Sequence, residues 1–246
     1  MALPILETAT YELTLPSKDV KVKFRPFLVK EEKILLQALE ANDAKEMTNA
    51  LKQIVHACTF GTVDINTLPI FDVEYIFLQI RAKSVGEITK LKLLCPDDKK
   101  TYAEVEVDLS KVEVHVDEDH TNKIVIDEKK KIGMIMSYPT INSVDPEMMD
   151  NKKLKTKQMF DMLANTVYQV YEGDKVQSAG DYSKEELNAF LESLDSKAFN
   201  KINTFFDTMP KLKQDIVIEN PKTKVKTTLT LQGLSDFFVS PSLTNL

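Results

Sequence analysis

Histidine titrates closest to neutral pH of the ordinary side chains, so general acid–base chemistry is sought there first. The chain has three histidines, His56, His115 and His120, and two cysteines, Cys58 and Cys95. His56 and Cys58 stand two apart in a segment of helical period, and positions i and i+2 of a helix do not face one site. They read as a partly exposed imidazole beside a core thiol. His115 and His120 flank Asp117-Glu118-Asp119, an acidic run of the kind that can offer oxygen ligands to a hard cation. The run lacks the alternating Asp and the Gly of a calcium loop, and reads as solvated surface. No glycine-rich phosphate loop, Gly-x-Ser-x-Gly elbow or His-Glu-x-x-His pair occurs. With no base placed beside a nucleophile, neither an enzyme nor a cofactor is expected.

Composition narrows the classes further. The 246 residues are 43% hydrophobic and 28% charged, with 6 Gly and no Trp, as in an ordinary globular chain. Such a length buries enough surface to fold without metal or disulfide staples. The 32 basic and 38 acidic residues leave a net charge of −6, which opposes nonspecific binding to phosphates, so nucleic acid is not the expected partner. Two unpaired thiols suit a reducing compartment. The opening MALPILETATYELTLP has neither a basic start nor a long apolar run, and is not expected to be a signal peptide. No apolar stretch approaches the roughly 20 residues that span a bilayer, so a soluble, cytoplasmically made protein is expected.

The elements follow from periodicity. Tyr11, Leu13 and Leu15 alternate, Pro16 to Asp19 turn, and Val20, Val22 and Phe24 alternate back, which makes a hairpin. Helical period runs from about Lys30 to Leu39, breaks at Asn42-Asp43, and resumes from Ala44 to Cys58. Thr67 reads as an N-cap before a densely apolar helix through Ile80. A second hairpin joins Ile88–Leu93 to Val105–Leu109 over a charged tip, and strands are expected at 112–116, 123–126 and 132–136. Met159 to Val170 reads as one helix stopped by Gly173-Asp174. Ser183 with Glu186 is a capping box, and a last helix from Ser196 ends at Met209-Pro210. The fold class is α+β: helices packed with antiparallel hairpins. Residues 1–144 hold the first hairpins, helices and strands. Residues 145–157 read as a polar linker, and 158–246 as a helical part ending in a hairpin, packing either as one domain or as two lobes.

One design occurs twice. Leu91 to Pro96 and Ile216 to Pro221 each follow an aromatic helix and lead to a polar X-Pro tip and a returning alternating strand. Each copy closes on Leu-Ser, at Leu109-Ser110 and Leu234-Ser235. This reads as a repeated helix-plus-hairpin unit. Facing tips that carry Cys-x-x-Cys build tetrahedral zinc sites. Here the first tip has Cys95-Pro96-Asp97-Asp98-Lys99 and the second Asn220-Pro221-Lys222, with one sulfur between them, so no metal is expected. The candidate interfaces are the two tips, Cys95 to Tyr102 and Asn220 to Lys226, with Cys95, Pro96, Asp97, Asp98, Lys99, Asn220, Pro221 and Lys222 as the candidate protein-interface residues.

Three stretches carry a family resemblance. They are Tyr11–Pro16 with Lys23–Lys33, Arg81–Glu87 ahead of the Cys95 hairpin, and Phe205–Leu212 with Leu234–Phe238. Together they make the chain similar to the baseplate hub and hub-assembly proteins of T-even-type contractile-tailed bacteriophages. The similarity runs over nearly the whole chain, and its motifs are structural. Relatives often carry Cys-Pro-x-Cys at the hairpin tips, a pattern from which this chain departs at both. The resemblance implies a late viral protein acting in the host cytoplasm in assembly of the central hub, as virion subunit or as chaperone. Other hub proteins are then its partners, and an oligomer is compatible. The alternative is a decayed zinc-ribbon adaptor for nucleic acid or a host factor, using Lys129, Lys130 and Lys131 with Lys152, Lys153 and Lys155.

Overall fold

The computed structural model describes residues 7–41, 43–144 and 156–237. Antiparallel strands and helices alternate along it, giving the expected α+β class. The contacts divide the chain into two units. One comprises Phe71–His115 with the described residues of 1–65 and 211–246, and the other comprises Asn66–Ile70 with those of Val116–Pro210. Most of the expected 145–157 linker lies outside the described residues.

In the first unit, β1 (Tyr11–Thr14) and β2 (Lys21–Phe24) form the opening hairpin, with Leu13 facing Val22. Its turn is held by Asp72, a buried residue on α3 (Ile70–Val85), whose carboxylate accepts the Ser17 backbone N–H at 3.1 Å and the Ser17 hydroxyl. Helices α1 (Val29–Ala41) and α2 (Ala44–Cys58) follow, and Asp43 caps α2 by accepting from the Lys45 and Glu46 amides at 2.9 Å each. The buried Arg25 pairs with Glu31 at 2.9 Å, while Glu31 also accepts the Leu28 amide, fixing the entry to α1. Cys58 is buried and His56 exposed, as their spacing predicts.

Thr67 is not the N-cap of α3. It belongs to a short 3-10 turn, Ile65–Thr67, and the helix begins beyond Pro69 because proline suits a helix start. Strand β3 (Ile88–Leu94) pairs with β4 (Tyr102–Asp108) in unbroken register, Leu91 facing Val105. The third sheet orders β11 (Lys226–Gln232), β10 (Lys211–Glu219) and β5 (Glu113–His115). Leu78 and Ala82 of α3, Leu91 and Val107 of the first long hairpin, and Leu212, Ile218 and Leu231 of the second share one apolar core. Each long hairpin closes in a helical turn at its Leu-Ser pair, Leu109–Lys111 in the first copy and α7 (Gly233–Asp236) in the second.

The second unit is a four-stranded meander of β6 (Lys123–Asp127), β7 (Ile132–Met136), β8 (Val167–Glu172) and β9 (Lys175–Ser178). Helices α4 (Thr156–Thr166), α5 (Lys184–Glu192) and α6 (Ser196–Thr208) pack on it, and the capping box of Ser183 and Glu186 is present. The helix read through Val170 stops at Thr166. Val167, Tyr168, Val170 and Tyr171 favour a pleated strand, and the Gly173-Asp174 turn sends it back as a hairpin. The order helix, hairpin, helical turn recurs as expected, but α3 shares the core of its hairpin whereas Ile202 and Phe205 of α6 are buried in the second unit.

Candidate interaction site at the paired hairpin tips

Both long hairpins begin their turns alike, the first turn being one residue longer than the second. In the first, the Cys95 amide donates to the Thr101 carbonyl at 2.8 Å, and the Lys99 amide to the Cys95 carbonyl at 2.9 Å. In the second, the Asn220 amide donates to Val225 and the Lys224 amide to Asn220, both at 2.9 Å. A proline with its φ preset follows the first residue of each turn, Pro96 and Pro221. The fifth residue of each takes the left-handed conformation, Lys99 at φ 52 and Lys224 at φ 63. Side chains complete the turns. Asp98 accepts the Lys100 and Thr101 amides at 3.0 Å and the Thr101 hydroxyl at 2.6 Å, and Asn220 Oδ1 accepts the Lys222 amide at 2.9 Å.

The two tips are joined. Asn220 Nδ2 donates to both oxygens of the Asp97 carboxylate, at 2.9 and 3.0 Å, and the Thr223 hydroxyl donates to one of them at 2.5 Å. These bonds, Asn220 first and Thr223 next, hold the Asp97 carboxyl below its usual range. The Thr101 hydroxyl, with its own turn amides, does the same to Asp98. Burial pushes the Cys95 thiol up, and the neighbouring Asp97 and Asp98 add to it. The sequence candidates therefore separate. Cys95 and Asn220 are buried, Asp98 is half-buried, and Pro96, Asp97, Lys99, Pro221 and Lys222 are exposed.

The repeat places Cys95, Asp98, Asn220 and Thr223 at the four positions that paired knuckles would fill with sulfur. One protonated thiol, a carboxylate satisfied by its own turn, an amide and a hydroxyl do not fit zinc, which takes thiolate or imidazole ligands in closed sites. Among the described residues no group of three or more His, Cys, Asp or Glu is placed to hold a metal ion. The hydrogen bonds of Asp97 link the tips instead. Thr223, Lys100 and Lys224 lie within the candidate tips 95–102 and 220–226, and aligning Cys95-Pro96 on Asn220-Pro221 sets Lys224 opposite Lys99.

A second polar cluster lies in the second unit. His120, read as part of a solvated loop, is half-buried, stacked on Tyr138, and packed at a tilt against Phe205. Its Nδ1 lies 2.9 Å from the Thr208 hydroxyl and its Nε2 3.0 Å from the Tyr138 hydroxyl. Thr208 donates its own hydrogen to the Thr204 carbonyl at 2.7 Å, so it accepts from Nδ1–H, and Tyr138 donates to Nε2. Burial lowers the imidazole pKa, against an opposing pull from Asp117. The contact with Phe205 comes from 85 positions on, a distance that no local pattern reveals.

The chain is an α+β protein whose two long β-hairpins are joined at their tips. The family model described as "T4 bacteriophage base plate protein" matches residues 8–239, nearly the whole chain, and the protein belongs to that family. No curated protein and no solved structure matches it. No helix among the described residues is long and apolar enough to cross a membrane.

Proposed function

We propose that this baseplate-family protein is a non-enzymatic interaction component in assembly of the central hub of the phage tail baseplate. It would act in the host cytoplasm as the tail is built, either staying as a subunit or leaving as an assembly chaperone. The observation that carries this reading is the lock between Asp97 and the Asn220–Thr223 tip, together with the match to the baseplate family. Two tips tied to each other present a preformed surface, and preorganisation lowers the ordering cost of binding. The exposed candidates Pro96, Lys99, Pro221 and Lys222 are the residues on that surface which a hub partner would meet.

The test is affinity capture of the tagged protein from phage-infected cells, with mass spectrometry of its partners and of finished virions. Hub proteins in the capture and this protein in the particle identify a subunit. Hub proteins in the capture without this protein in the particle identify a chaperone. A capture without tail proteins refutes the reading.

A further inference from the structure

We infer that the paired tips form a basic docking surface for an acidic segment of another baseplate protein, an inference that rests on the assembly role proposed above. Four exposed lysines crowd onto the two tips, Lys99 and Lys100 on the first and Lys222 and Lys224 on the second. The chain as a whole carries −6, so this concentration runs against the bulk charge. The two acidic side chains at the tips, Asp97 and Asp98, accept from Asn220, Thr223 and Thr101, neutral donors that leave both charges in place, so the four lysines exceed the two carboxylates by two. The strands behind the tips balance their own charges through Lys92–Glu104 and Lys226–Glu219. The ammonium groups at the tips are left facing solvent.

Backbone conformation sets two of these lysines at equivalent points of the two turns. Lys99 and Lys224 both hold positive φ, at the equivalent position of each turn. Glycine adopts that conformation without strain and is the default residue there. Lysine stands at both places, and since Asp19 and Lys131 hold the same conformation in other turns, it marks the two positions as equivalent. The Asp97 lock fixes the spacing of the cations, and exposed Tyr102 and Val225 border them, which suits a polypeptide carrying carboxylates and some apolar surface. Nucleic acid would need the basic field to extend along a backbone, whereas here alternating ion pairs end it at the strands.

The test compares wild type with the variant Lys99→Gly, Lys100→Ser, Lys222→Ser, Lys224→Gly. Glycine relieves the left-handed turns, so the variant keeps or raises its melting temperature and lost binding cannot be put down to misfolding. Wild type is expected to capture baseplate proteins from infected cells, to release them as salt rises, and to release them to added polyglutamate. The variant should capture them at least about tenfold more weakly. Undiminished capture by the variant, or release by duplex DNA and not by polyglutamate, overturns the inference and leaves the assembly role standing. Wild type that captures no baseplate protein overturns both.

Discussion

Asn220 reaches across 123 positions of sequence to hold both carboxylate oxygens of Asp97, while its own carbonyl oxygen closes the turn it sits in. One buried side chain thus forms a turn and joins two hairpins. Replacing Asn220 by Ala removes both functions and leaves turn amides short of an acceptor. The expected cost is about 1–3 kcal/mol. At roughly 2–4 °C per kcal/mol for a chain of this length, thermal unfolding should show it directly. Asp97→Ala and Asn220→Ala should be non-additive in a double-mutant cycle because they break one shared contact, and additivity would show the tips to be energetically independent.

Gly133 on β7 pairs with Tyr171 on β8, whose ring lies over it. A Cβ at Gly133 would run into that ring and come within 2.5 Å of the Ile124 carbonyl, which as backbone has no room to yield. The Lys123 ammonium lies over the Tyr171 ring, 5.4 Å from its centroid. Gly133→Ala should destabilise the protein by about 1–3 kcal/mol, the ordinary cost of overpacking. A melting temperature equal to wild type would mean that both the ring and the Ile124 backbone yield.

Much of this architecture can be read from the sequence because it is local. The capping box at Ser183 and the alternation through Val105, Val107 and Leu109 depend on residues a few positions apart. The extent of α2 is set by the Asp43 cap and an apolar stripe. What escapes is decided by distant partners. Val167 to Glu172 is apolar enough for helix or strand, and pairing with β7 settles the matter. The tips were legible as equivalents through their shared X-Pro spacing. That they touch was not, because Asp97 finds Asn220 only once both hairpins share a core. His120 likewise has its meaning assigned by Phe205 and Thr208.

Glu74 lies on the same face of α3 as the buried Leu78 and Ala82, and accepts the Leu234 amide of α7 at 3.2 Å. Burial pushes its carboxyl up from 4.5 to about 7, against the Leu234 hydrogen bond, which lowers it. The folded protein therefore binds this proton more tightly than the unfolded chain. The resulting stability is complete below pH about 4.5 and is lost as pH rises through about 7, up to about 3 kcal/mol in all. His120, lowered by burial, has the opposite sign, since its contribution is lost on acidification below its ordinary value. Melting curves of wild type and Glu74→Gln between pH 5 and 8 separate the two. Wild type should lose stability relative to the variant as pH rises, and parallel curves would refute the assignment.

The relay from Tyr138 through His120 to Thr208 specifies a neutral imidazole with its proton on Nδ1, because the Thr208 hydrogen is committed to Thr204. Tyr138→Phe removes the donor to Nε2 while keeping the ring that stacks on His120. The neutral form then loses a hydrogen bond, and the His120 midpoint should rise, while the burial that lowers it remains. NMR titration of the imidazole reports both quantities. Nitrogen shifts give the tautomer in wild type, and the midpoint gives the pKa in each protein. An unchanged midpoint would mean that Tyr138 packs against the ring without hydrogen-bonding it.

The equivalence of the tips supports a gain-of-function experiment. Cys95 already occupies the first position of one turn, and Asp98, Asn220 and Thr223 occupy the positions that correspond to three further sulfurs. The bonds from Asp97 to Asn220 and Thr223 hold the two turns together in the native protein. Asp98→Cys, Asn220→Cys and Thr223→Cys together give up those bonds and part of each turn's closure, and provide four thiols in exchange. Zinc lowers thiol pKa by direct coordination, so the burial that keeps Cys95 protonated does not prevent ligation. The triple variant should bind one zinc per chain and melt higher with the metal than after chelation, while wild type is indifferent to chelator. If the variant folds and binds no zinc, the turns are alike in hydrogen bonding but not in the direction of their side chains.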